Sequence, residues 1–284
     1  MFVPFNQLLD VTIEHFRLLK ARGTQFVAVE PETMRVLNAP ARRSNSPSRT
    51  ANSEHRTETA VPVANGAPAL DSHLPTPDSS KAQAIAELRD RAMQCMKCAH
   101  LASTRKNVVF GVGNIDAAIM FVGEAPGADE DLQGEPFVGA AGQLLTRMIG
   151  AMGLSRDHVY IANILKCRPD MPAGSSGNRK PTPEEMQTCI PYLHAQIDLI
   201  GPKVLIALGG TAMEGLLGKS GITKLRGQWH TYRGIPLMPT YHPAYLLRNQ
   251  SNAEKRKVWE DLMAVMEKAG LSITEKQRGF FLKS

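Results

Sequence analysis

His242 lies in the run Tyr241-His242-Pro243-Ala244-Tyr245-Leu246-Leu247-Arg248. The proline fixes the backbone just after the imidazole, so the ring can be held where a proton or a hydrogen bond is needed. Read that way, His242 is a catalytic candidate, Leu246 and Leu247 form an exposed apolar wedge, and Arg248 sits on a phosphate. The plainer alternative is a structural histidine. Upstream, Gly123-Glu124-Ala125-Pro126-Gly127 is a tight loop whose amides could face a ligand, and Asp129, Glu130 and Asp131 follow it. The loop lacks the Gly-Lys-Ser/Thr that grips phosphate. An acidic first turn of a helix would account for the three acids as well. Phe137 is flanked by proline and small residues and could offer its face to a planar ligand, or simply close a loop in the core. Asn163 offers one acceptor and two donors, which suits reading an amide-like base edge, with a turn cap as the alternative.

The chain has four cysteines, Cys95, Cys98, Cys167 and Cys189. The first two are a close pair, and the other two bracket an insertion at 168–188. All four are accounted for by one four-thiolate metal site. Zinc and an iron–sulfur cluster both accept four cysteines, and spacing alone does not choose between them.

These residues need a scaffold. Apolar runs at 117–122, 158–162, 203–208 and 235–239 read as buried strands, and the first three end in a glycine or a polar turn. Helical patterns at 82–93, 142–152, 184–200 and 211–217 accompany them. Alternation of this kind implies an α/β fold with a mainly parallel sheet covered on both faces. Ligands in such folds bind at the C-terminal ends of the strands, where Glu124, Asn163 and His242 fall.

Residues 1–37 form a separate small unit in this reading. Phe5, Leu8, Leu9, Ile13, Phe16 and Leu19 recur at helical spacing, and 26–29 suggests a strand. One helix and one strand cannot bury a core alone, so the unit is expected to dock on a protein partner. Residues 38–80 contain no aromatic residue, no Ile and no Met, the composition of a flexible linker. The net charge of +6 arises entirely beyond residue 80, where 25 basic side chains face 19 acidic ones. That excess suits a polyanionic partner. No run of 18 uncharged apolar residues exists and the N-terminus lacks a signal-peptide pattern, so a cytoplasmic location with no membrane association is expected.

Together these motifs resemble the family 4 uracil-DNA glycosylases, the iron–sulfur branch of the uracil-DNA glycosylase superfamily. The resemblance runs over about residues 82–268 and also takes in Pro136 to Gly139, Asn163 to Pro169 and Asn178-Arg179. It implies a three-layer α/β/α sandwich around a central four-stranded mainly parallel sheet. It implies a monomer that hydrolyses the N-glycosidic bond of uracil in DNA to leave an abasic site, with a structural 4Fe-4S cluster on the four cysteines. By resemblance, Phe137 stacks on the extruded uracil and Asn163 bonds its Watson–Crick edge. Glu124, Ala125, Pro126 and Gly127 contribute loop contacts, and His242 stabilises the charge developing at O2. Leu246, Leu247 and Arg248 meet the DNA.

The best-known branch of the superfamily has a water-positioning aspartate where this chain has Ala125. Family 4 members also lack it, and Glu130 is then the leading water-activating candidate, ahead of Asp129 and Asp131. The segment 170–177 is longer than usual for the family. A related subgroup that becomes trapped on DNA carries a histidine after the third cysteine. Residues 168–188 contain none. A non-catalytic DNA-binding module is the other alternative, and the presence of His242, Asn163 and Phe137 argues against it.

Overall fold

The computed structural model describes residues 79–171 and 177–282. The expected N-terminal unit, the linker up to residue 78 and positions 172–176 of the long insertion lie outside the described residues.

Six strands form one sheet: β1 (Val112–Gly113), β2 (Ile119–Gly123), β3 (Tyr160–Asn163), β4 (Val204–Leu208), β5 (His230–Tyr232) and β6 (Ile235–Thr240), in the order β1-β3-β2-β4-β6-β5. The inner four run parallel, and each edge strand pairs antiparallel with its neighbour. The expected four-stranded parallel sheet is therefore the centre of a six-stranded mixed one. The two edges are two and three residues long, too short to leave a periodic pattern in the sequence.

The inner strands are unbroken apolar runs because both their faces are covered. On one face Met120, Val122, Tyr160, Ala162, Leu205 and Ala207 pack against α1 (Ser79–Met93), α5 (Pro183–Ile200) and α6 (Gly210–Leu217). On the other, Ile119, Phe121, Ile161, Ile206, Leu208 and Met238 meet α4 (Ala140–Ala151) and α9 (Asn252–Ala269). Successive strand residues alternate between the two cores, and the result is a three-layer sandwich. Shorter helices fill the connections: α2 (Ala99–Thr104), α3 (Ala128–Gln133), α7 (Ile222–Leu225), α8 (Pro243–Arg248) and α10 (Glu275–Arg278). Among the described residues no helix is long and apolar enough to cross a membrane.

The expected strand at 158–162 begins later. His158 belongs to a 3-10 turn (Arg156–His158), where Ser155 and the His158 ring bond at 2.8 Å. Register then fixes the site. Gly123 pairs with Asn163, and Leu208 pairs with Thr240. The C-terminal ends of β2, β3, β4 and β6 thus share one edge, and Gly209 and His242 lie in the turns just beyond it.

Candidate active site and metal centre

Asn163 is the last residue of β3 and is 2% exposed. Its Oδ1 is buried with no hydrogen-bond partner among the described residues. An orphaned buried acceptor is destabilising by roughly 1–3 kcal/mol unless something outside the fold satisfies it. Across the strand pair, Gly123 keeps the space clear. A methyl group there would lie 2.6 Å from Cζ of Phe137 and closer still to Asn163 Oδ1. The glycine thus allows the Phe137 ring and the Asn163 amide to approach each other.

Phe137 is held in an unusual way. Its φ is +55°, a left-handed conformation that disfavours side-chain-bearing residues by about 1–2 kcal/mol. Arg156 donates to the carbonyls of Pro136 (2.7 Å) and Phe137 (3.1 Å). Glu130 accepts from the amides of Val138 (2.9 Å) and Gly139 (3.0 Å) through Oε1, and from Gly127 (3.0 Å) through Oε2. The Phe137 carbonyl passes so close over α4 that any Cβ at Gly142 would collide with it.

His242 caps the N-terminus of α8, and its Nδ1 accepts from the Ala244 amide at 3.1 Å. That bond leaves the proton of the neutral ring on Nε2. Burial, reinforced by the Arg248 cation and opposed by Glu130, holds the pKa down at about 4. The ring is therefore a neutral Nε2–H donor at physiological pH. It lies 5.6 Å from the Phe137 ring, tilted by 32°. Gly209, at φ +92°, admits it, since a Cβ there would come within 2.9 Å of the His242 Cβ.

The remaining expected residues separate into those at the site and those that support it. Glu124 is half-buried beside the site. Burial raises its carboxyl pKa, while a hydrogen bond from Thr211 and the Lys180 cation pull it back. Its carbonyl receives the Leu165 amide at 3.1 Å, tying the loop of Glu124, Ala125, Pro126 and Gly127 to the exit of β3. Glu130, expected as a water-activating group, has both oxygens committed to three amides of two loops, so its geometry is that of a brace. Asp131 is buried and accepts from the Lys106 amide at 2.9 Å, also in a supporting role. Leu246 is a correction. It is 4% exposed and packed in the core, because the short helix α8 turns that face toward α4, so it cannot serve as a wedge. Leu247 is half-buried and Arg248 exposed.

The four cysteines line one small cavity of about 20 Å³. Cys95 follows α1, Cys98 caps α2, Cys167 follows β3 and Cys189 lies in α5. Arg105 donates to Cys167 Sγ at 3.0 Å, and the Lys166 amide donates to Cys189 Sγ at 3.2 Å. Burial raises the Cys98 and Cys167 thiols and pushes Cys189 up to about 11. Bare thiols at these three positions are protonated, and a bound metal must displace those protons. Among the described residues, the one set of candidate ligand atoms all within 4.8 Å of one another is His100, Asp170 and Glu185, with no cysteine in it. The His100 group is filled otherwise: the Arg179 guanidinium pairs with Glu185 (2.6 Å) and with Asp170.

Two residues absent from the sequence expectations join these centres. Lys166 is 2% exposed and donates through Nζ to the Asn163 carbonyl (2.8 Å) and to Gln196 Oε1 (2.6 Å). Arg156 holds the Phe137 loop. A lysine between apolar Leu165 and Cys167 was the only signal for the first. Nothing in spacing marks the second.

The model of the "Uracil DNA glycosylase superfamily" matches residues 110–263. A type-4 uracil-DNA glycosylase of Thermotoga maritima is 47% identical over 178 residues, covering 61% of this chain and 88% of that protein. One from Sulfurisphaera tokodaii is 42% identical over 204 residues, 68% of this chain and 87% of that one. One from Archaeoglobus fulgidus is 43% identical over 182 residues, 59% of this chain and 88% of that one. The matched span carries Glu124, Phe137, Asn163 and His242, and the chain belongs to the uracil-DNA glycosylase superfamily, in its type-4 group.

Proposed function

We propose that this protein removes uracil from DNA by hydrolysing the N-glycosidic bond, leaving an abasic site. The observation that carries the reading is the meeting of the Phe137 ring and the partnerless Oδ1 of Asn163 at the space kept by Gly123, with the neutral Nε2–H donor of His242 in a ring 5.6 Å from that of Phe137. A uracil turned out of the stack has a flat face, an N3–H donor and an anionic O2 once the bond breaks. Stacking falls to Phe137. Asn163 Oδ1 accepts from N3–H, which cytosine lacks. His242 donates to O2 as charge accumulates there, and being neutral it needs no proton transfer to do so. A fixed donor in a dry pocket supplies several kcal/mol to the departure of such a leaving group. Glu124 to Gly127 close one side of the pocket, and Glu130 braces that loop against the one bearing Phe137. Arg248 and Leu247 face the DNA, with Arg248 on phosphate.

Cys95, Cys98, Cys167 and Cys189 hold a 4Fe-4S cluster. The reading is supported by four thiols around one cavity and by the donors aimed at two of the sulfurs. When bound, the cluster cross-links the α1–α2 connection, the exit of β3 and α5, and takes no part in bond cleavage. The catalytic unit is residues 81–284, and residues 1–37 are left for a protein partner.

The test is strand cleavage by alkali after incubation with an oligonucleotide carrying one uracil. Cleavage at that position, absent from the thymine control, is expected. An iron-replete preparation that binds the oligonucleotide without cleaving it would refute the catalytic reading.

A further inference from the structure

We propose that Arg156 is a positioning residue for base recognition, presenting the Phe137 ring to the extruded uracil by fixing the two carbonyls in and before its strained peptide. The inference rests on the stacking role given to Phe137 above. Three independent observations lead to it.

Phe137 occupies a left-handed conformation that it does not favour, so the surroundings must hold it there. The holding groups are two side chains of opposite charge from different elements. Arg156, in the turn before β3, takes the carbonyls of Pro136 and Phe137. Glu130, in α3, takes the next two amides, those of Val138 and Gly139. Gly142 then leaves room for the Phe137 carbonyl over the first turn of α4.

The chemistry of Arg156 is directed at this loop. Among the described residues its hydrogen bonds go to those two carbonyls and, at 3.4 Å, to the Thr146 hydroxyl, and none goes to a carboxylate. A planar fork reaches two successive carbonyls at once, which a lysine ammonium cannot do in the same geometry. Pro136 and Phe137 are both buried, so without the fork their carbonyls lose their donors where water is scarce. Relaxing the peptide toward ordinary φ would swing the ring away from Asn163 and His242.

A double-mutant cycle tests this on the full chain: Arg156→Ala, Phe137→Ala and the pair, with Arg156→Lys beside them. The readouts are single-turnover excision, inhibition by free uracil, thermal midpoint and iron content. Arg156→Ala is expected to slow excision roughly 10-fold to 100-fold and to weaken inhibition by uracil in parallel. In the Phe137→Ala background the same change should cost less than about twofold, because its target is gone. Arg156→Lys should recover part of the loss. If the two effects multiply, or if Arg156→Ala excises at the normal rate, the inference is overturned while the stacking role survives. If Phe137→Ala alone is fully active, the stacking role itself falls. Should Arg156→Ala lose its iron or its thermal transition, the cycle is run with Arg156→Lys, and the same non-additivity decides.

Discussion

Alanine in place of Gly123 adds one methyl group at the point where Phe137 and Asn163 come closest. The new Cβ would stand 2.6 Å from Phe137 Cζ, against about 3.5–4.0 Å for carbon atoms at rest, and nearer still to Asn163 Oδ1. The shortfall is about 1 Å on each side. Gly123 does not have a positive φ, so its backbone accepts alanine, and the whole effect is steric. Asn163 is held by its pairing with β2 and by Lys166, and Phe137 by Arg156 and Glu130. Neither can retreat freely, and overpacking of this kind is destabilising by ~1–3 kcal/mol. For a unit of this size that is a fall of a few degrees in thermal midpoint. The effect on catalysis is larger, since a displacement of about 1 Å in a positioning group lowers rates roughly 100-fold. Single-turnover excision and calorimetry on iron-replete protein measure the two together. A Gly123→Ala protein with normal rate and midpoint would mean that the amide and the ring are not neighbours, and the pocket described here would be wrong.

His242→Ala should lower single-turnover excision roughly 100-fold to 1000-fold with DNA affinity little changed, as measured by gel shift on uncleaved oligonucleotide. Glu130→Gln should lower thermal midpoint and rate together, because an amide places a donor opposite one of the three backbone amides that the carboxylate accepts from. A slowed but fully stable Glu130→Gln would restore it as a water-activating group. His242 titrates near 4 in the fold against about 6.5 unfolded, so its contribution to stability is complete above 6.5 and is lost as pH falls toward 4. Thermal midpoints at pH 7.5 and 4.5 should diverge less in His242→Gln than in the parent, and excision should show no inflection from this residue between pH 5 and 8. Cys167→Ser should lower iron content and midpoint together, read by visible absorbance and calorimetry.

The centre of the fold could be read from the sequence because β2 and β4 are covered on both faces and therefore have to be apolar throughout. The edge strands could not, since β1 is defined by backbone pairing at Val112 and Gly113 and not by side chains. The positions of Asn163 and His242 at strand ends were legible for the same reason as the strands. Leu246 was misjudged because a six-residue helix, under two turns long, buries one face without repeating the period often enough to mark it. Glu130 was assigned to chemistry by the family resemblance, whereas its partners are amides of residues up to nine positions away, brought together only by folding. Arg156 bonds carbonyls 19 and 20 positions earlier, and main-chain partners carry no side-chain signature at all.

Lys166 gives two centres a common fate. Its amide holds a sulfur of the four-cysteine cavity, and its ammonium holds the carbonyl of Asn163, the residue proposed to read the base. If occupation of the cavity improves the placement of Asn163 by some factor, linkage requires the same factor in reverse. Uracil in the pocket must then tighten retention of the metal as much as the metal sharpens binding of uracil. Protein with a base bound would lose its iron to a chelator at a higher concentration than free protein does.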